Sequence, residues 1–351
     1  MRELPSAMIF VLSAILSWVV PETQFARAES AEECSSFLLP SYYEDPSRIQ
    51  WRVDHRHLCP VTRQGGLSTC WASAGATLIK PLLVRAGLMR EDQQLSLDYY
   101  SSVVMRSMAH YYKSQRGEIY GDEIGPFYTT EIYPLLMTAG LVFSEEFRFP
   151  RLALLSASGN PYYSDIRNSR RIQDEFIEEL NEVKRKKNPA FFEAVLDHYL
   201  GNAGGVTPRP IPAEWVEAHR PQLLVTQSKS FERILNENIT STRPELVAPE
   251  QIEKRVRDSL DRGNPVLITV SRLEHFGRMR RRDFSPMTAG AEDFEYMGEH
   301  AVTLVGYGKD ANGEFWYLLQ NSAGRRWGID GAMAVSGAFI RSEVEKFVLI
   351  P

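Results

Sequence analysis

The chain has 351 residues, of which 43% are hydrophobic and 24% charged, and its formal net charge is −5. That composition is ordinary for a globular protein and supplies enough apolar material for a sizeable core. A mildly acidic chain lacks the basic stripe that nucleic-acid binding requires, which excludes nucleic acid as the main partner.

The first elements are processing signals. Arg2 lies in a short n-region, where Glu3 weakens its charge, and residues 7–20 form an uncharged stretch of 14 residues. That stretch is too short to span a bilayer comfortably. Ala26-Arg27-Ala28 supplies a small-x-small cleavage site, so residues 1–28 are predicted to be a cleaved signal peptide. The mature chain is then expected to be secreted or periplasmic, with no membrane association. Its charge stays at −5, because Arg2 and Arg27 leave together with Glu3 and Glu22. The three cysteines are Cys34, Cys59 and Cys70. In an oxidising compartment an odd number leaves one thiol over. The economical pairing is Cys34 with Cys59, leaving Cys70 free; an unpaired Cys34 on a terminal tail is the alternative.

Residues 29–46 read as a short polar lead-in, and structure is expected from Ile49-Gln50-Trp51-Arg52 onward. Residues 60–69 form a glycine-containing loop. Cys70 then opens a helix in which Trp71, Ala74, Leu78, Ile79 and Leu82 recur at helical spacing. Gly87 is its expected stop, and Pro81 is expected to kink or shorten it. Further helices are predicted over residues 97–108, capped by Ser96, and over residues 129–139, ended by Gly140. Residues 47–150 thus read as a helical lobe.

Residues 151–247 read as an added helical module. Ile172, Phe176, Leu180 and Val183 form one apolar stripe on a highly charged helix that Asn188-Pro189 ends. A second helix carries Phe192, Val195, Leu196 and Tyr199 and stops at Gly201. Residues 248–351 read as a β lobe introduced by one helix, which starts at Ala248-Pro249 and presents Ile252, Val256 and Leu260 on one face. Strands are predicted over residues 266–270, 301–307, 315–320, 332–335 and 347–350, with Asn312-Gly313 as a hairpin turn. Helices followed by an antiparallel set of strands make an α+β chain with its cleft between the halves.

Four residues in one order carry the chemistry. Gln64 precedes Cys70 in Gln-Gly-Gly-Leu-Ser-Thr-Cys-Trp-Ala, His300 opens an apolar strand in Glu299-His300-Ala301-Val302, and Asn321 stands in Gln320-Asn321-Ser322-Ala323-Gly324. A thiolate is the effective form of a sulfur nucleophile. A helix N-terminus and a neighbouring imidazolium both favour it. Asn321 is suited to orient His300, and the Gln64 amide to meet a developing oxyanion beside the backbone N–H of Cys70. His55, His57 and Cys59 have a metal-like spacing without a fourth ligand, so no metal or other cofactor is expected.

These segments resemble the active-site blocks of papain-like cysteine peptidases of the C1 type. The nucleophile block is Pro60-Val61-Thr62-Arg63-Gln64 through Cys70-Trp71-Ala72. Trp51-Arg52 is similar to the start of the family's mature domain, His300-Ala301-Val302 through Gly306-Tyr307-Gly308 to its histidine strand, and Asn321-Ser322 through Gly331 to its asparagine turn. Leu95-Ser96 and Gly140-Leu141-Val142 fit weaker landmarks, and residues 195–201 faintly resemble the bleomycin-hydrolase and aminopeptidase C branch. The resemblance implies a two-lobed fold, with a helical N-terminal lobe, an antiparallel β-barrel-like C-terminal lobe and the active site between them. It also implies a substrate cleft touched by Gly66, Trp71, Gly125, Glu299 and Trp327.

Spacing and departures qualify the resemblance. The family sets its cysteine about 130–150 residues before its histidine and asparagine. Here the separations are 230 and 251, and the 97 residues of 151–247 match the excess. The lead-in is too short for the family's inhibitory propeptide, so the 151–247 module is expected to cover the cleft instead. Leu67 and Asp122 occupy the places of a family disulfide, and Ala323 that of a tryptophan which shields the histidine–asparagine contact. The expected function is hydrolysis of peptide bonds in a peptide or protein substrate. The competing readings are a thiol acyltransferase or transamidase, and a catalytically silent binding protein of the same fold.

Overall fold

The computed structural model describes residues 49–53, 70–114, 117–119, 135, 139–147, 162–226, 243–270, 300–324, 327–328 and 331–351, with residues 162–170, 173 and 345 described by backbone alone. The first strand, β1 (Ile49–Val53), is followed by two helices, α1 (Cys70–Arg85) and α2 (Leu97–Ser114). Pro81 lies inside α1 without ending it. Ser96 caps α2 as its position predicts: its Oγ accepts from the Tyr99 N–H at 3.2 Å and donates to the Phe147 carbonyl at 2.8 Å. The two weaker landmarks meet in space, since Leu95 pairs with Phe143 and the Ser96 N–H donates to the Val142 carbonyl at 2.8 Å. Of the helix expected over residues 129–139, only Leu135 and Ala139 fall within the described residues.

Two helices follow, α3 (Tyr162–Lys186) and α4 (Pro189–Leu200). Asn188 both ends the first and caps the second, with Pro189 in the first turn, where its missing N–H costs nothing. The apolar stripe of α3 meets that of α4 in a separate core. There Ile172, Phe176, Leu180, Phe192, Leu196 and Tyr199 pack with Met105 and Ala109 of α2. Arg106 ties this pair to α2 by reaching Asp197 at 2.5 Å and the Gly201 carbonyl beyond the end of α4. Asn181 holds the segment before α3 through reciprocal bonds with the Ile119 backbone, at 2.7 and 2.8 Å.

The region expected to be wholly helical also contains strands. A short helix, α5 (Ala213–Ala218), leads to β2 (Gln222–Val225), and β3 (Pro244–Leu246) follows. Both strands join the main sheet, β2 antiparallel to β8 (Val344–Leu349) and β3 parallel to β2. Four and three residues are too few to display a period, and the partner of β2 lies at the far end of the chain. Val216, Leu223 and Val225 belong to the same core as α1 and α2. Removing 151–247 would therefore open a core as well as take away α3 and α4.

The remaining elements are α6 (Pro249–Asp261), β4 (Val266–Val270), β5 (His300–Asp310), β6 (Phe315–Gln320), β7 (Ala332–Ser336) and α7 (Gly337–Glu343). The sheet runs β3-β2-β8-β4-β5-β6-β7, with β1 paired to β5 off that path. Every residue of β4 is buried because both faces are covered. Leu267 and Val348 face α1 and α2, whereas Ile268, Phe347 and Leu319 pack against Ile252 and Val256 of α6 and Phe339 of α7. The molecule is therefore α+β, with helices on one side of a mostly antiparallel sheet and α6 and α7 on the other. Among the described residues no helix is long and apolar enough to cross a membrane.

Close approach of β1 dictates one glycine. A Cβ on Gly308 would lie 2.5 Å from the Gln50 carbonyl oxygen and 2.6 Å from Ile49 Cγ2. Gly308→Ala is expected to push β1 off the sheet and to destabilise the fold by about 1–3 kcal/mol, the usual cost of overpacking. Urea denaturation measures this, and an unchanged midpoint would contradict it.

Candidate active site

Three elements converge on one point. α1 begins at Cys70, β5 begins at His300, and Asn321 follows the last residue of β6. β5 and β6 are antiparallel, with Thr303 opposite Gln320, so the start of one strand lies beside the end of the other. His300 and Asn321 are brought together by that register and nothing more distant.

The contact is close. His300 Nε2 lies 2.8 Å from Asn321 Oδ1. The same oxygen accepts the Ser322 N–H at 2.7 Å, so it is the acceptor of both bonds. Nε2 therefore carries a proton and donates it to Asn321, which leaves Nδ1 as the nitrogen available to Cys70. Asn321 is itself fixed, being 5% exposed, with its N–H bonded to the Gly331 carbonyl at 2.9 Å. The turn beyond it closes on Trp327, whose N–H donates to the Gly324 carbonyl at 3.1 Å and whose carbonyl accepts from Gly331 at 2.8 Å.

The thiol and the imidazole alter one another. Burial pushes the Cys70 pKa up, but a hydrogen bond from His300, its charge, and the backbone N–H groups of Ala301 and Trp71 outweigh burial and hold the thiol below its ordinary 9.0. Burial pulls the His300 pKa down, and the bond and charge of Cys70 together with the Asn321 bond more than reverse this, lifting it above 6.5. Each shift favours a thiolate facing an imidazolium. The position of Cys70 at the start of α1 adds the positive end of the helix dipole. Cys70 is partly exposed and makes no disulfide.

Trp71 and Trp327 are each 3% exposed, one in the core of α1 and α2 and the other in the core beneath the sheet, so neither offers much surface to a ligand. Ala323 packs against the same core as Trp327. Gln64, Gly66, Gly125, Glu299, Cys34 and Cys59 lie outside the described residues, as do His55 and His57. Among the described residues no cluster of His, Cys, Asp and Glu could hold a metal ion. The backbone N–H of Ala301 as a partner of sulfur was not foreseen; its only signal in the sequence is adjacency to His300.

Asn321→Ala is expected to impair rather than eliminate the function of this couple, because the imidazole keeps its thiol partner and loses only its orienter. A drop of about 10–100-fold in kcat is expected, and an unchanged rate would show that the 2.8 Å contact orients nothing.

Comparison with known proteins bears on the fold. Residues 226–350 match the model of the papain family cysteine proteases. The fold is similar to PepW of Lactobacillus rhamnosis HN001, with a TM-score of 0.55 at 13% identity, over 99% of this chain and 92% of that one. Bromelain from Ananas comosus gives a TM-score of 0.45 at 14% identity, over 86% and 98% of the two chains. Procathepsin L 3 from Tenebrio molitor gives 0.44 at 12% identity, over 88% and 76%. No curated protein matches the sequence. Residues 226–350 thus carry the sequence pattern of the papain family cysteine proteases, and the chain as a whole is similar in fold to PepW.

Proposed function

We propose that this chain is an exported thiol peptidase that hydrolyses peptide bonds through Cys70, His300 and Asn321. The observation that carries the reading is the His300–Asn321 bond of 2.8 Å, with Cys70 held as the partner of the other imidazole nitrogen. The Cys70 thiolate attacks the scissile carbonyl carbon, and the carbonyl electrons move onto oxygen. The imidazolium gives its Nδ1 proton to the departing amine as the C–N bond breaks, which leaves a thioester on Cys70. Neutral His300 then takes a proton from water, hydroxide adds to the thioester, and the acid product leaves with the thiolate restored. Asn321 keeps the ring in the tautomer that serves both steps. No step requires a cofactor.

Gln64 and the Cys70 backbone N–H are assigned to the oxyanion. Gln64→Ala is expected to lower kcat by about 10²–10³-fold with little change in KM. The reverse pattern, a raised KM with kcat retained, would remove the oxyanion assignment. The leader at residues 1–28 and a Cys34–Cys59 disulfide belong to the same proposal; intact-mass analysis of exported protein reads both.

A diverse peptide library incubated with the exported protein tests the function. Cleavage by the native chain and none by Cys70→Ala is expected. Absence of cleavage by a protein whose Cys70 still alkylates would favour a non-hydrolytic role. An added amine nucleophile separates hydrolysis from transfer by the product formed.

A further inference from the structure

Several polar side chains stand among apolar ones directly behind the site. Thr303 is 1% exposed and faces α1, on the same side of β5 as Ala301. Its hydroxyl donates to the carbonyl of Ala74 at 3.3 Å. Ala74 is one helical turn beyond Cys70, and Thr303 is three residues beyond His300 on β5. Across the strand pair Thr303 stands opposite Gln320, the residue before Asn321. Further along α1, Thr77 Oγ1 donates to the Ser73 carbonyl at 3.1 Å, a bond within the helix that adds polar groups on the side facing the strands. Ser73, Thr77, Thr303, Gln320, Asn321 and Ser322 all border the small niche at this point.

We infer that Thr303 is a positioning residue that fixes the axial register of the Cys70 helix against the His300 strand. The inference rests on the proposed thiol chemistry. Two rigid elements meet here, and nonpolar contact between a helix and a strand is tolerant of sliding along the axis. A directional bond is not. Cys70 and Ala74 are separated by about 6 Å of helix rise, and His300 and Thr303 by about 10 Å of strand. A bond from Thr303 to Ala74 therefore pins the two reacting side chains through short, stiff arms. Without it, α1 can shift by a fraction of an ångström, and the separation of sulfur and Nδ1 shifts with it. Misplacement on that scale is enough to cost a large factor in rate.

The chemistry of the contact makes it separable from stability. The Ala74 carbonyl lies in the interior of α1 and keeps a helical partner if the hydroxyl is removed. Thr303→Val preserves shape and strand preference and leaves no acceptor unsatisfied, so the melting temperature is expected to change little. Thr303→Ser keeps the hydroxyl and loses only the methyl.

The experiment measures kcat, KM, the pH profile of kcat/KM and thermal stability for the full chain and its Thr303→Val and Thr303→Ser variants, with peptide substrate. For Thr303→Val, kcat is expected to fall about 10–100-fold at unchanged KM, and the acid limb of kcat/KM to move to higher pH because the imidazolium no longer sits squarely on sulfur. Thr303→Ser is expected to restore most of both. A Val variant with native rate and native acid limb overturns the inference, as does equal loss in Val and Ser, which would assign the effect to the methyl group. Should the Val variant fail to fold, Thr303→Ala set against Thr303→Ser makes the same comparison of hydroxyl lost with hydroxyl kept. Failure of the underlying reading looks different: the native chain itself would then cleave nothing, whatever stands at position 303.

Discussion

Cys70→Ala is expected to abolish peptide hydrolysis while leaving the fold intact. In the proposed reaction the sulfur is the nucleophile, so no residual covalent path would remain, and a loss of about 10⁴–10⁶ in kcat is the scale seen when a member of a catalytic set is removed. The fold should survive because Cys70 opens α1 and only partly packs against the core, so truncation to alanine removes a single sulfur. Alanine is also a good helix former. Far-ultraviolet circular dichroism and the melting curve should match the native protein. Iodoacetamide adducts on the peptide that contains Cys70 should disappear. Retained turnover in a correctly folded Cys70→Ala protein would refute the assigned role.

His300→Ala is expected to be nearly as severe, for two reasons that act on different steps. In the proposed reaction the variant lacks the proton donor for the leaving amine and the base for water. It also loses the main influences that hold the thiol down. With His300 gone, burial becomes the dominant influence on Cys70 and pushes its pKa up, opposed only by the Ala301 and Trp71 N–H groups. The sign matters for the pH dependence. A depressed thiol pKa keeps the thiolate as pH falls, until the folded value is crossed. A raised imidazole pKa keeps the imidazolium as pH rises, until its own folded value is crossed. Activity should therefore be bell-shaped in the native protein, and the bell should vanish in His300→Ala along with about 10⁴–10⁶ of the rate. Addition of the two single losses in the double variant would contradict the picture of one coupled unit.

Much of this was legible in the sequence because chemistry, helix signals and strand signals agreed. Cys70 stood where an apolar helical period began, and α1 does start there. His300 preceded a strand whose partner ended just before Asn321, so antiparallel pairing alone could bring them together. Ser96 announced its helix by a side chain suited to capping, and Asn188-Pro189 marked the end of α3. What escaped was non-local. β2 pairs with β8 more than a hundred residues away, and its four residues carry no period of their own. Pro81 suggested a kink or an early end because local rules see the lost N–H, but α1 is not cut short there and continues with Leu82 and Leu83 buried in the core. The Thr303–Ala74 bond joins positions 229 residues apart, and a threonine in an apolar strand gives no hint of it.

The charged couple itself is tested most directly by the pH dependence of iodoacetamide alkylation at Cys70, followed by peptide mass in the native protein and in His300→Ala. A thiolate held by His300 reacts in the native protein at pH values below 9.0, and the acid limb moves to higher pH when the imidazole is removed. A native limb at or above the ordinary thiol value, or the same limb in both proteins, would mean that sulfur and imidazole do not share their proton.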